Sequence, residues 1–401
     1  MPVTQFPKLA VASMAANFSD QMMLALLPLV LVAAGADAQT VSLVVAAHAA
    51  AWLVVSLPVG AYADVMSRRT IMTLGAGAIL AGSALGAAGL HAGFDAPWVL
   101  AICAFCIAAG VVMLILSVFA QMPKSVPTVK LASANATLEF GRAIMSIATP
   151  AIAAVLVSRH WSEFGFGLAL VGGLTALIAA RALPFEPATS GAKVSLRNSV
   201  RDGAAFVVQQ PILLAIALCA IAWNMGFFAL TGVFAPYAKS QLGMSIEEIG
   251  QAWSIYGIGL LLGSLAAAPM IARLPTGFMF IFGPAASCIP VLVALLVARP
   301  GTTWPVGAGF FCLGFASMTW LVLQTSVRQI VTPNAMLGRV GATLSMAIYG
   351  VRPIGALIAG QIAAALGSSA ALWFSAAMFV LSFFAVLLSP AVRLSTLPKP
   401  A

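Results

Sequence analysis

The chain has 401 residues, 62% of them hydrophobic and 7% charged, with a net charge of +9 and a mean hydropathy of +1.07. A soluble domain carries roughly 25% charged residues, so a water-covered globule is excluded. Apolar segments of roughly 20 residues, the length that crosses ~30 Å of hydrocarbon as a helix, recur in place of the ~10-residue alternating segments of a β-barrel. The positive charge does not mark a nucleic-acid surface, because the cations are scattered through short loops.

The expected fold is an all-α membrane protein with twelve spans, at 8–34, 40–61, 70–90, 96–121, 132–158, 163–183, 211–238, 246–271, 276–298, 304–330, 337–366 and 369–393. The first span is too long for a signal-peptide core and is interrupted by Asp20, so it reads as a helix of the mature chain. Short loops make consecutive helices antiparallel neighbours. The rhythm breaks once, at PFEPATSGAKVSLRNSVRDGAAFVVQQP, whose end (about 195–209) reads as an amphipathic surface helix. The expected organisation is a six-helix bundle at 1–183, a cytoplasmic linker at 184–210 and a second six-helix bundle at 211–401.

Cations set the orientation. With both termini cytoplasmic, Lys8, Arg68, Arg69, Lys124, Lys130, Arg181, Lys193, Arg197, Arg201, Arg273, Arg328, Arg339, Arg393 and Lys399 lie inside, and only Arg159, Lys239 and Arg299 lie outside. Of the 19 lysines and arginines, Arg142 and Arg352 remain, and both fall within spans. LASANATL opens the fifth span and LGRVGATL the eleventh. Similar starts at equivalent places suggest parallel repeats.

Four ionisable groups lie deep in apolar segments: Asp20, Glu139, Arg142 and Arg352. Each costs ~2.5–3.5 kcal/mol at mid-bilayer by insertion scales. Glu139 and Arg142, three residues apart on one helical face, can neutralise each other or act in transport. Arg352 has no local partner, so another helix or a ligand must supply one. Asp20 has no local cation, and because burial disfavours a charged carboxyl it becomes a candidate proton carrier. His48 reads as an interhelical packing histidine, with a proton site as the alternative. Asn17, Trp223, Asn224, Tyr256, Trp320, Gln324 and Tyr349 form a secondary list of solute-binding candidates, each open to a plain helix–helix packing role. Cys103-x-x-Cys106 lacks a redox fold around it, and the histidines at 48, 91 and 160 are too scattered for a metal centre. No Walker pattern occurs and the glycines follow no strand, so neither a cofactor nor ATP is called for. A membrane enzyme is a poor fit, since no nucleophile–base pair is visible.

The loop GAYADVMSRRT resembles the major facilitator superfamily signature between helices two and three, matching it at Gly60, Ala63, Asp64, Arg68 and Arg69 and departing at Tyr62, Val65 and Ser67. FAPYAKSQLGMSIEEIGQAWSIYGIGLLLGSL, QTSVRQIVTPNAMLGRVGATLSMAIYG and RPIGALIAGQIAAALG look like the bacterial branch that holds macrolide-type efflux pumps and enterobactin-type siderophore exporters. The resemblance implies alternating access between two bundles. It implies a gating role for Gly60, Asp64, Arg68 and Arg69, and a central cavity lined by helices one, five and eleven. On that basis Arg352 and Arg142 are expected to bind solute, and Asp20 and Glu139 to couple protons. The expected function is export of an amphipathic, partly anionic solute by a monomer in the bacterial inner membrane, with uptake of a small organic anion as the alternative. The antiporter run of helix five is nearly absent, since SIATPAIAA keeps only Pro150 of it.

Overall fold

The computed structural model describes residues 5–62, 66–93, 96–127, 130–185, 196–333 and 336–398. The helices are α1 Phe6–Ala33, α2 Ala38–Tyr62, α3 Arg68–His91, α4 Pro97–Ser125, α5 Leu131–Ser158, α6 Ser162–Arg181, α7 Leu196–Gln209, α8 Pro211–Gln241, α9 Ile246–Arg273, α10 Thr276–Ser287, α11 Ile289–Leu292, α12 Trp304–Val331, α13 Leu337–Leu366 and α14 Ser368–Leu387. Among the described residues, twelve stretches are long and apolar enough to cross a membrane. No strand occurs among the described residues.

Local chemistry sets the helix ends. Asp37 precedes α2 and accepts from the Thr40 backbone N–H at 2.8 Å, capping donors that have no intrahelical partner. The Thr40 side chain and backbone together hold the Asp37 carboxyl below its ordinary range. Ser67 caps α3 in the same way, its hydroxyl accepting from Thr70 N–H at 3.1 Å. Gly367, at φ +87°, makes the left-handed turn between α13 and α14 that a side chain would strain.

The ninth span, expected at 276–298, runs Thr276–Val297, and its helix type changes within it: α10 stops at Ser287, α11 is one short turn and a π-helical turn, Val293–Val297, completes it. Pro290 supplies no backbone N–H, and a Cβ on Gly309 of α12 would lie 2.7 Å from the Pro290 Cα, so the neighbouring helix packs tightly there. The last helix ends at Leu387, not 393. Ser389 accepts from Ala391 N–H and Pro390 begins a separate 3₁₀ turn, Pro390–Arg393, so apolar character runs on past the point where the backbone can continue.

The chain forms two compact units, Met1–Ala192 with Ser245–Ser254, and Lys193–Met244 with Ile255–Ala401. In the first, α1 packs against α2, α4, α5 and α6, while α3 packs against α4 and α6. In the second, α8 packs against α13 and α14, and α10 against α12 and α14. Its core joins Ile216, Met279, Phe280, Leu323, Val327 and Val386. The amphipathic α7 belongs to this second unit. Its Val207 is buried with Leu213, Ala217, Val340 and Leu344. The Val200 carbonyl accepts from the Thr343 hydroxyl at 3.1 Å, and Asp202 lies 3.4 Å from the Arg339 guanidinium. Gly203 allows this crossing, because a Cβ there would collide with the Arg339 carbonyl and the Thr343 hydroxyl.

Candidate functional site

In the first unit a polar chain crosses three helices. Asp20, 8% exposed and near the middle of α1, meets His48 of α2, itself 3% exposed. The Nε2–Oδ1 distance is 3.1 Å. The two are at ion-pair distance but off hydrogen-bond alignment, and the His48 ring nitrogens and Asp20 Oδ1 make no hydrogen bond. Gln21 Nε2 donates to Asp20 Oδ2 at 3.3 Å. Ser146 of α5 donates to Gln21 Oε1 at 3.2 Å and to the Arg142 carbonyl at 3.0 Å. Arg142 then holds Glu139, with Nε–Oε2 at 2.8 Å and Nη2–Oε2 at 2.7 Å. Two nitrogens on one carboxylate oxygen make a charge-assisted contact, and the pair is 31% and 42% exposed. Within this unit Glu139 meets Arg142, the pairing open to them from their spacing, and Asp20 meets a histidine. Asn17 lies one turn before Asp20 but donates to the Ser13 carbonyl at 2.8 Å.

In the second unit Arg352, near the middle of α13, donates from Nε to Asn224 Oδ1 of α8 at 2.9 Å. Its guanidinium carbon lies 4.8 Å from the Tyr349 ring centroid and 5.2 Å from that of Phe228, inside the ~6 Å range of cation–π attraction. Asn224 is held by its own donation to the Ala220 carbonyl at 2.9 Å. Around this lies an aromatic cluster. Trp223 stacks on Phe227 at 5.0 Å and meets Phe379 at 6.0 Å, and Phe227 meets Tyr256 at 5.7 Å. The Trp223 indole donates to Ser287 at 2.8 Å. Gln324, buried, donates to Thr325 at 2.9 Å. Trp320 sits in the core of this unit, 9% exposed and packed over Gly283.

The loop motif is divided. Asp64 lies outside the described residues, and Gly60 is in the last turn of α2. Arg68 and Arg69 occupy the first turn of α3. Cations at that positive helix end oppose the macrodipole, so helix stability is not what places them there. Sequence reasoning did not foresee Gln21, Ser146, Phe228 and Ser287, and it read His48 as packing with a proton site as the alternative. A shared mid-span depth was the signal linking His48 to Asp20, but depth alone does not show that two helices face each other. Among the described residues no three His, Cys, Asp or Glu side chains gather to hold a metal.

The Major Facilitator Superfamily profile matches residues 9–239. The chain belongs to this superfamily. Its members are transporters, not enzymes, so the chain is a multi-pass membrane transporter of a small-molecule solute. It is 26% identical over 344 residues to an uncharacterized MFS-type transporter, YceJ, of Bacillus subtilis, covering 84% of each chain. It is 24% identical over 220 residues to the enterobactin exporter EntS of Escherichia coli, a match that spans 55% of this chain and 51% of the exporter. Among solved structures, a POT family transporter in complex with 5-aminolevulinic acid superposes with TM-score 0.76 at 14% identity, covering 96% of each chain. A D-xylose-proton symporter superposes with TM-score 0.72 at 15% identity, covering 96% of this chain and 97% of its own. At those identities the shared property is the major facilitator fold.

Proposed function

We propose that this transporter exports an amphipathic, partly anionic organic solute across the bacterial inner membrane by proton-coupled alternating access, as a monomer with both termini cytoplasmic. The observation that carries the reading is Arg352, a permanent cation at mid-helix, fixed by Asn224 and stacked on Phe228 and Tyr349. A guanidinium cannot be neutralised by losing its proton, so it presents positive charge in every state of the cycle. Its aromatic surroundings suit a solute with an apolar body. The likeness to an exporter of enterobactin supports the direction of transport and a drug- or siderophore-like cargo. Asp20 and Glu139 are the carboxyls available for coupling; Glu139 is already compensated by Arg142, which favours Asp20. Asp64, Arg68 and Arg69 would latch the cytoplasmic end. The reduced helix-five antiporter run, with only Pro150 kept, supports the second reading, uptake of a small organic anion.

The test is flux of labelled salicylate, a catechol carboxylate and erythromycin in right-side-out and everted vesicles. Export predicts accumulation in everted vesicles only, driven by an imposed pH gradient and lost in Arg352→Ala. Accumulation confined to right-side-out vesicles would establish the uptake reading instead. Arg352→Ala moving every one of these probes at wild-type rate would end the solute-binding assignment.

A further inference from the structure

We propose that Asp20 and His48 form a built-in proton site shared between α1 and α2, and that Gln21 and Ser146 link it to α5. The inference rests on the transport reading for its use, but not for its existence.

A histidine 97% shielded with neither ring nitrogen hydrogen-bonded is costly as a packing residue, since an apolar side chain would fill the same space without desolvating two polar atoms. What it has is a carboxylate oxygen at 3.1 Å. One proton between them leaves the pair without net charge, whether it sits on the ring or on the carboxyl. Removing it leaves a lone carboxylate in an apolar interior, and adding a second leaves a lone imidazolium. The buried pair is therefore selective for one proton, and exchange with water becomes favourable only when the helices admit water.

The pair is also isolated from other titratable groups. α2 carries no other charged or titratable side chain before Tyr62, and α4 carries none between Pro97 and Met122 except the thiols Cys103 and Cys106. Of these, Cys106 packs toward α3 at Gly82. α6 has none between Glu163 and Arg181, and α5 contributes only Glu139 and Arg142, which bond each other. No described neighbour therefore competes with His48 for the Asp20 proton.

A neutral carboxyl is a weaker acceptor than a carboxylate, so the Gln21 amide that donates to Asp20 Oδ2 responds to where the proton sits. The other end of that amide accepts from Ser146, which also bonds the Arg142 carbonyl. Proton occupancy is thereby tied to the α5 segment that carries the Glu139–Arg142 pair.

The experiment is infrared difference spectroscopy of the full chain in phosphatidylcholine vesicles, stepped between pH 5 and pH 9 without added solute. The wild type should show a titrating carboxylic-acid band that disappears in Asp20→Asn and survives in Glu139→Gln. In His48→Gln the band should appear at a different pH from the wild type, because the partner lying 3.1 Å from the carboxyl is gone. A band indifferent to Asp20→Asn, or unmoved in His48→Gln, overturns the shared site. Should His48→Gln fail to fold, the histidine ring bands of Asp20→Asn replace it: one must titrate at a new pH, and unchanged ring bands overturn the pair. Flux of the three labelled probes separates this from the transport reading. Unaltered pH dependence of flux in His48→Gln removes the coupling role and leaves transport standing. No flux of any probe in the wild type, with the band behaviour intact, removes the proposed cargo class and leaves the proton site.

Discussion

The interiors of the two units face the same difficulty and resolve it by opposite means. In the first, Asp20 is surrounded by polar atoms in sequence: an imidazole, an amide, then a hydroxyl. In the second, Arg352 is enclosed by ring faces, with one amide oxygen on its edge. The difference follows from the sign of the charge. An aromatic face is negative, so it stabilises a guanidinium and repels a carboxylate. An acid in an apolar interior therefore needs polar company, here the adjacent Gln21 amide and a histidine from α2, whereas an arginine can be housed against aromatic side chains already there.

That contrast is open to direct attack. The largest effect is predicted for Arg352→Ala, which should cut initial transport of a carried solute by about 10- to 100-fold, the kinetic equivalent of the ~1.5–3 kcal/mol typical of hydrogen bonds to charged groups. The loss should be the same at every pH, whereas His48→Gln should alter mainly the pH profile; the reverse pattern would undo the division of labour. Arg352→Lys should recover only part of the rate, because an ammonium keeps the charge but lacks the flat surface that stacks on Tyr349 and Phe228. Next is Asn224→Leu, which strips the acceptor from Arg352 Nε and should lower stability by ~1–3 kcal/mol, read as an earlier thermal transition in detergent. A third change bears on α7. Gly203→Leu places side-chain atoms where the Arg339 carbonyl and Thr343 hydroxyl lie, and should make α7 measurably faster to digest in limited proteolysis. Asp202→Asn on the same helix should do almost nothing, since an exposed pair contributes at most ~1 kcal/mol. The smallest effect is expected at Asp37. Its folded carboxyl is held low by Thr40, so its contribution is present above the ordinary carboxylate range and fades as pH falls through the depressed value. Asp37→Ala should cost about 1 kcal/mol at neutral pH and progressively less in acid, checked by melting curves at pH 7 and below pH 4.

Much of the architecture was legible because hydrocarbon selects so strongly. Leu337–Leu366 and Pro211–Gln241 begin where their apolar runs begin. Hydropathy is blind to hydrogen-bonding capacity, however, so it did not show the change of helix type after Ser287 and carried the last helix through Pro390. The site was legible as a set of misplaced charges and no further. Asn224 and Arg352 are 128 residues apart in sequence, and Gln21 and Ser146 are 125 apart. Only the packing of α8 with α13 and of α1 with α5 brings them together. Local periodicity carries no information about which faces of two distant helices meet.

The seating of α7 has a practical corollary. Since Val200, Asp202, Gly203 and Val207 bind it to the opening turns of α13 and to α8, the second half of the chain starts with a clamp of its own before its first span begins. A gene divided just ahead of Leu196 should therefore yield a C-terminal fragment that arrives with its leading segment already fastened, a better point of division than the junction at Pro211. Co-expressing the two products and assaying flux would show whether the cell can assemble this transporter from separately made parts.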